Sequence, residues 1–148
     1  MFQMNLTYPA KFSDVAVVLP YNGSFYASEQ CVVTNDYASC SIDTHEKLIA
    51  EYRLCKTHQG CESKREELSA TSFRLELNGK ELNYLRIYPE NAESKTYIYD
   101  AFGHLIQFVS EQNLSTFYEY DALGNLIQIR NEDGVSFKSH HREYMNNK

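Results

Sequence analysis

Residues Tyr97 to Gln107 read Tyr-Ile-Tyr-Asp-Ala-Phe-Gly-His-Leu-Ile-Gln, and residues Tyr118 to Gln128 read Tyr-Glu-Tyr-Asp-Ala-Leu-Gly-Asn-Leu-Ile-Gln. Asp100 and Asp121, Gly103 and Gly124, and Leu105 and Leu126 are each 21 residues apart. A repeat at fixed offset constrains a fold more than any local propensity, because both copies must satisfy the same local geometry. Tyr97 with Tyr99, and Tyr118 with Tyr120, fall on one face of a strand, since side chains alternate with period two. The Asp that follows ends the strand and accepts a hydrogen bond from a main-chain N–H two residues on. Gly three positions later supplies the positive φ that closes a hairpin with a bulge. Leu105 and Leu126 open the returning strands. These Tyr, Asp, Gly and Leu positions are therefore read as architecture, with aromatic packing and turn formation as their roles. Asp100 and Asp121 are not read as a catalytic pair.

The two copies resemble the tyrosine–aspartate (YD) repeat of the Rhs family, whose pattern is roughly Tyr-x-Tyr-Asp-x-x-Gly-(Arg/Asn/His)-Leu. In that family many such hairpins coil into a shell around a toxin domain. The resemblance implies the local hairpin. It does not extend to an enclosure, which two units cannot form, or to the family's Asp-Pro-x-Gly self-cleavage segment, which this sequence lacks.

The remaining chain suggests an α+β fold. Val15 to Leu19 is an apolar run closed by Pro20, consistent with a buried strand. Residues 1–12 and 35–41 read as loops. Asp43 with Glu46 resembles a capping box, and Leu48, Ile49, Tyr52 and Cys55 follow at helical spacing, which predicts a main helix over 44–55. Ser63 with Glu66 predicts a second short helical stretch to Ala70. Phe73 to Leu85, turning at Asn78-Gly79, predicts a hairpin that foreshadows the YD units. The expected arrangement is a mixed half over 1–70, an antiparallel β-meander over 71–138 with the main helix packed against it, and a polar tail over 139–148, together making one compact domain.

Cys31, Cys40, Cys55 and Cys61 permit two disulfides, with Cys31–Cys40 and Cys55–Cys61 the local pairing. Free thiols are the second reading. Cys55-Lys56-Thr57-His58-Gln59-Gly60-Cys61 also has the content of a metal knuckle with Cys40 or His45, but lacks the usual Cys-x-x-Cys spacing. A thiol protease needs a Cys–His pair with an orienting group, which nothing here selects. His140 and His141 lie in the polar tail. Asn5, Asn22 and Asn113 begin matches to the glycosylation pattern, to which no function is attached. There is no phosphate loop, dinucleotide fingerprint or nucleophile elbow.

A formal charge of −6 argues against a nucleic-acid partner and suits a basic protein. No apolar run reaches membrane-spanning length. No leader is visible at Met1 to Leu6, so the cytoplasm is the expected compartment, with the periplasm or the exterior as the alternative if the cysteines are oxidised. No cofactor or metal is expected. Together with the resemblance, these features imply a non-enzymatic protein-binding module of an Rhs/YD toxin system, an immunity protein being the specific form. A structural piece of a larger shell is the alternative. A dimer through a sheet edge is compatible with either.

Overall fold

The computed structural model describes residues 4–7, 15–21, 24–42, 47–69 and 71–139. Its described residues hold fourteen strands and no helix. The strands are β1 (Met4–Thr7), β2 (Ala16–Tyr21), β3 (Ser24–Ala27), β4 (Cys31–Val33), β5 (Tyr37–Ser41), β6 (Leu48–Lys56) and β7 (Gly60–Leu68). They continue with β8 (Ser72–Glu76), β9 (Glu81–Pro89), β10 (Lys95–Tyr99), β11 (Leu105–Val109), β12 (Ser115–Tyr120), β13 (Leu126–Asn131) and β14 (Ser136–Ser139). Every pairing is antiparallel.

The chain divides into two compact units, residues 8–94 and residues 1–7 with 95–148. The expected boundary near residue 70 falls between β7 and β8, inside the first of these. That unit holds a five-stranded sheet, β3-β2-β9-β6-β7, and a three-stranded sheet, β4-β5-β8. Val18, Leu48, Ala50, Leu85 and Ile87 of the larger sheet join Ala38, Cys40 and Phe73 of the smaller in one core. Tyr52 reaches across to Phe73 at a centroid distance of 6.0 Å. Each fully buried Leu or Ile here contributes about 1.5–3 kcal/mol.

The expected α+β fold is corrected to all-β. The main helix predicted over 44–55 is a strand from Leu48 onward, and its proposed cap, Asp43 to Glu46, lies outside the described residues. β6 occupies the sheet interior between β9 and β7, and residues 48–54 are all buried. A strand covered on both faces shows no apolar–polar alternation. Leu48, Ile49 and Tyr52 then mimic a helical stripe because charged Glu51 and Arg53 interrupt the run. The second helical stretch is strand β7. Asn78-Gly79 does form a tight turn, with Lys80 N–H donating to the Leu77 carbonyl at 2.9 Å and φ values of 51° and 79°. The flanking strands do not form the expected hairpin: β8 pairs with β5, while β9 pairs with β2 and β6. The turn is a corner between two sheets. Residues 37–41 form β5, and residues 4–7 form β1, both in places where loops were expected.

The other unit is one six-stranded sheet, β1-β10-β11-β12-β13-β14. β10 to β14 are a consecutive meander, and β1 closes the edge beside β10. Thr96, Ile98, Gln107, Val109 and Ser115 are buried positions on its strands. Tyr97, Tyr99, Tyr118 and Tyr120 stand on the opposite face and are half-buried. The polar tail from residue 140, with His140 and His141, lies outside the described residues.

Candidate functional site: the repeat turns

Each repeat turn is held by one carboxylate. The Phe102 and His104 amides donate to Asp100 Oδ1 at 2.8 and 2.9 Å. Gly103 N–H donates to the Asp100 carbonyl at 3.1 Å, and Asp100 N–H to the His104 carbonyl at 2.9 Å. The second copy repeats this: the Leu123 and Asn125 amides donate to Asp121 Oδ1, both at 2.9 Å. Gly103 and Gly124 sit at φ 87° and 90°, which explains their identity. Beside each turn the register slips by one residue, with Ile98/Tyr99 set against Gln107/Leu105 and Glu119/Tyr120 against Gln128/Leu126, leaving a bulge on the returning strand. Leu105 and Leu126 then pair with Tyr99 and Tyr120.

Two further turns of this kind follow, and the second begins at the Asn131-Glu132-Asp133-Gly134 stretch, which reads as a turn in the sequence. At Ser110, the Gln112 and Leu114 amides donate to Ser110 Oγ at 3.3 Å each, and Asn113 takes the left-handed position at φ 63°. At Asn131, the Asp133 and Val135 amides donate to Asn131 Oδ1 at 3.0 Å each, with Gly134 at φ 81°. The turns thus start at 100, 110, 121 and 131 and lie alternately at the two ends of the sheet. Each 21-residue repeat contains two turns. The signal was a side-chain acceptor followed three residues later by Gly or Asn. Asn113, one of the glycosylation-pattern asparagines, is buried and spent on its turn.

The hydrogen bonds set the electrostatics. Burial alone would raise the Asp100 carboxyl, but donation from the His104 and Phe102 amides and from the His104 ring outweighs it, and its pKa lies below the ordinary value. The Asn125 amide is the main cause of the same lowering at Asp121. His104 ties one hairpin to the next. Its Nδ1 lies 3.2 Å from Asp100 Oδ2, and its ring stacks on Tyr120 at 4.6 Å. The Tyr120 hydroxyl donates to the Leu105 carbonyl at 2.8 Å. Tyr97 packs on Phe108 at 4.9 Å.

Residues 99–136 match the family model described as RHS Repeat. This segment is an Rhs/YD repeat. The match begins one residue before the first turn and ends one residue after the fourth. No curated protein and no solved structure matches the chain. In this segment Asp100 and Asp121 serve as turn acceptors, and the successive hairpins make a ladder.

Two features lie in the other unit. Cys31–Cys40 joins β4 to β5 and Cys55–Cys61 joins β6 to β7, each between directly opposed residues, with Cα–Cα distances of 4.1 and 3.9 Å. This is the local pairing, and it leaves Cys55 and Cys61 no thiolate for the metal or protease readings. Glu51, Arg86, Arg65 and Tyr88 form a charged cluster that sequence reasoning missed. Burial and then the Glu51 charge push the Tyr88 phenol up to about 12. No group of His, Cys, Asp and Glu suited to a metal occurs among the described residues. Among the described residues no helix is long and apolar enough to cross a membrane.

Proposed function

We propose that this chain is a non-enzymatic protein-binding module of a bacterial Rhs/YD toxin system, acting as an immunity protein that covers a toxin domain. The carrying observation is that Asp100 and Asp121 are engaged by their own turns. The repeat therefore contributes shape, not chemistry, and shape serves recognition. The formal charge of −6 favours a basic partner through faster encounter. The two disulfides support an oxidising compartment, periplasmic or extracellular, over the cytoplasm expected from the sequence. The test is calorimetric titration of the oxidised chain with toxin domains encoded beside it, paired with a neutralisation assay. Tight binding with loss of toxicity is expected. Absence of association in both oxidised and reduced states would retire the reading.

The alternative, a structural piece of a larger Rhs-like shell, draws support from one feature. The turn series continues through Asn131 to Val135, leaving β14 at the sheet edge where a further hairpin would add. A neighbouring reading frame that continues the 21-residue spacing, and that co-assembles with this chain, distinguishes the two.

A further inference from the structure

Among the described residues the five-stranded sheet ends on β7, which has β6 on one side and the sheet edge on the other. The strand is nine residues long and pairs with β6 without a register shift. All its residues except Ser63 and Leu68 are exposed. A long regular edge of this kind is a template for another strand. Its hydrogen-bond phase is fixed by the disulfide beside the turn. Cys55 and Cys61 have Cα atoms 3.9 Å apart, the narrow spacing of a non-hydrogen-bonded antiparallel pair. By alternation, Cys61, Arg65 and Glu67 turn their main-chain groups away from β6 and towards the edge.

The side chains select a register. When two copies of one strand pair antiparallel about a two-fold axis, the axis passes through a residue that meets its own copy. Centring on Glu62, Lys64, Arg65, Glu66 or Glu67 sets a charge against itself, which is destabilising. Centring near either end of β7 leaves only a few residues overlapped. Centring on Ser63 avoids both problems. Glu62 then faces Lys64 of the second copy, and Lys64 faces its Glu62. These pairs fall at the close, non-hydrogen-bonded positions, where Cβ atoms stand about 4.5–5.5 Å apart. Cys61 and Arg65 meet at the positions that exchange main-chain hydrogen bonds. Within one chain Glu62 and Lys64 already lie on the same face with their charges 3.5 Å apart, so the dimer creates an alternating square of four charges.

We propose that the occupant of this edge is a second copy of the chain, joined through antiparallel β7–β7 pairing centred on Ser63. The inference does not depend on the proposed partner of the Rhs repeat. It is tested by sedimentation of the oxidised full chain over a concentration series. The wild-type chain is expected to associate to a dimer. Glu62→Lys and Lys64→Glu are each expected to weaken it about tenfold, because opposite charges become like ones in both symmetric pairs. The double variant restores the alternation and is expected to recover dimerisation. Far-ultraviolet dichroism of each variant checks that loss of association is not loss of fold. A chain that stays monomeric throughout overturns the proposal. So does a dimer insensitive to both single variants, or a double variant that fails to recover.

Discussion

Glu51 and Arg86 face each other across β6 and β9, and Glu51 Oε1 receives both Arg86 Nη2 at 2.8 Å and Arg86 Nε at 2.9 Å. Their exposures are 1% and 0%. Arg65, opposite Glu51 on β7, brings its Nε within 3.2 Å of the other carboxylate oxygen. Three charges therefore lie in a row across the sheet. Removing one member of a buried pair leaves an uncompensated charge, so Glu51→Ala is expected to cost about 3–5 kcal/mol. Replacing both, with Glu51→Leu and Arg86→Met, removes the desolvation penalty of the two groups and is expected to recover most of that loss. Urea denaturation of the two variants beside the wild type checks this. A double variant no better than the single would show that the pair is not the source of the loss.

The repeat turns make a prediction about chemistry in place of charge. Asn131 holds its turn with an amide oxygen in the place where Asp100 uses a carboxylate. Asp100→Asn is therefore expected to fold with little loss, whereas Asp100→Ala orphans two amides and costs about 1 kcal/mol. The pH dependence separates the variants. The folded carboxyl has a pKa below its ordinary value, so on acidification the unfolded chain takes up the proton first. The stabilisation is present above the unfolded pKa and is lost as the pH falls through the folded one. Wild-type stability should therefore decline in the acid range by an increment that Asp100→Asn lacks. Thermal unfolding at a series of acidic pH values measures it.

Gly103 and Gly124 share a backbone conformation but not surroundings. A Cβ at Gly103 meets nothing within 4 Å, while one at Gly124 meets His104 Nε2 at 3.3 Å. Gly103→Ala is expected to show only the left-handed penalty, roughly 1–2 kcal/mol. Gly124→Ala should lose about 1 kcal/mol more through overpacking. Adding His104→Ala should relieve the excess at Gly124 and leave the Gly103 effect unrelieved. Equal losses at the two glycines would mean that the histidine yields freely.

The contrast between these turns and β6 shows where sequence reading succeeds. Asp100 to His104 is fixed by residues within five positions of one another, so its geometry is legible without knowing the rest of the molecule. Ser110 makes the same turn, but Ser is a weaker acceptor and Asn113 replaces the glycine, so its signal fades, whereas Asn131 with Gly134 stays legible. β6 is legible only from its neighbours. Leu48, Ala50 and Tyr52 face one layer, Ile49 and Glu51 the opposite face, and a buried Glu with its Arg partner disguises the strand as an interrupted helix stripe. β1 fails for the same reason, because Met4 to Thr7 become a strand only through distant β10. The cysteines were legible because each pair sits across one hairpin.

The two disulfides differ in access, and that difference orders their reduction. Cys31 and Cys40 are 7% and 1% exposed inside the core shared by both sheets. Cys55 is half-buried and Cys61 exposed beside the β6–β7 turn. An attacking thiolate needs a direct approach to sulfur, so Cys55–Cys61 should open first under mild reductant. The loops closed are short, and each bond is expected to contribute about 2–3 kcal/mol. Loss of the outer bond should leave the core intact, since β6 is still paired with β7 and β9 along its length. Alkylation followed by peptide mass mapping should therefore find Cys55 and Cys61 labelled well before Cys31 and Cys40. The inner pair should react at a rate that rises with urea, as expected for a bond exposed only when the sheets separate. Simultaneous labelling of all four in native buffer would mean that opening of the core, not access to the turn, limits both.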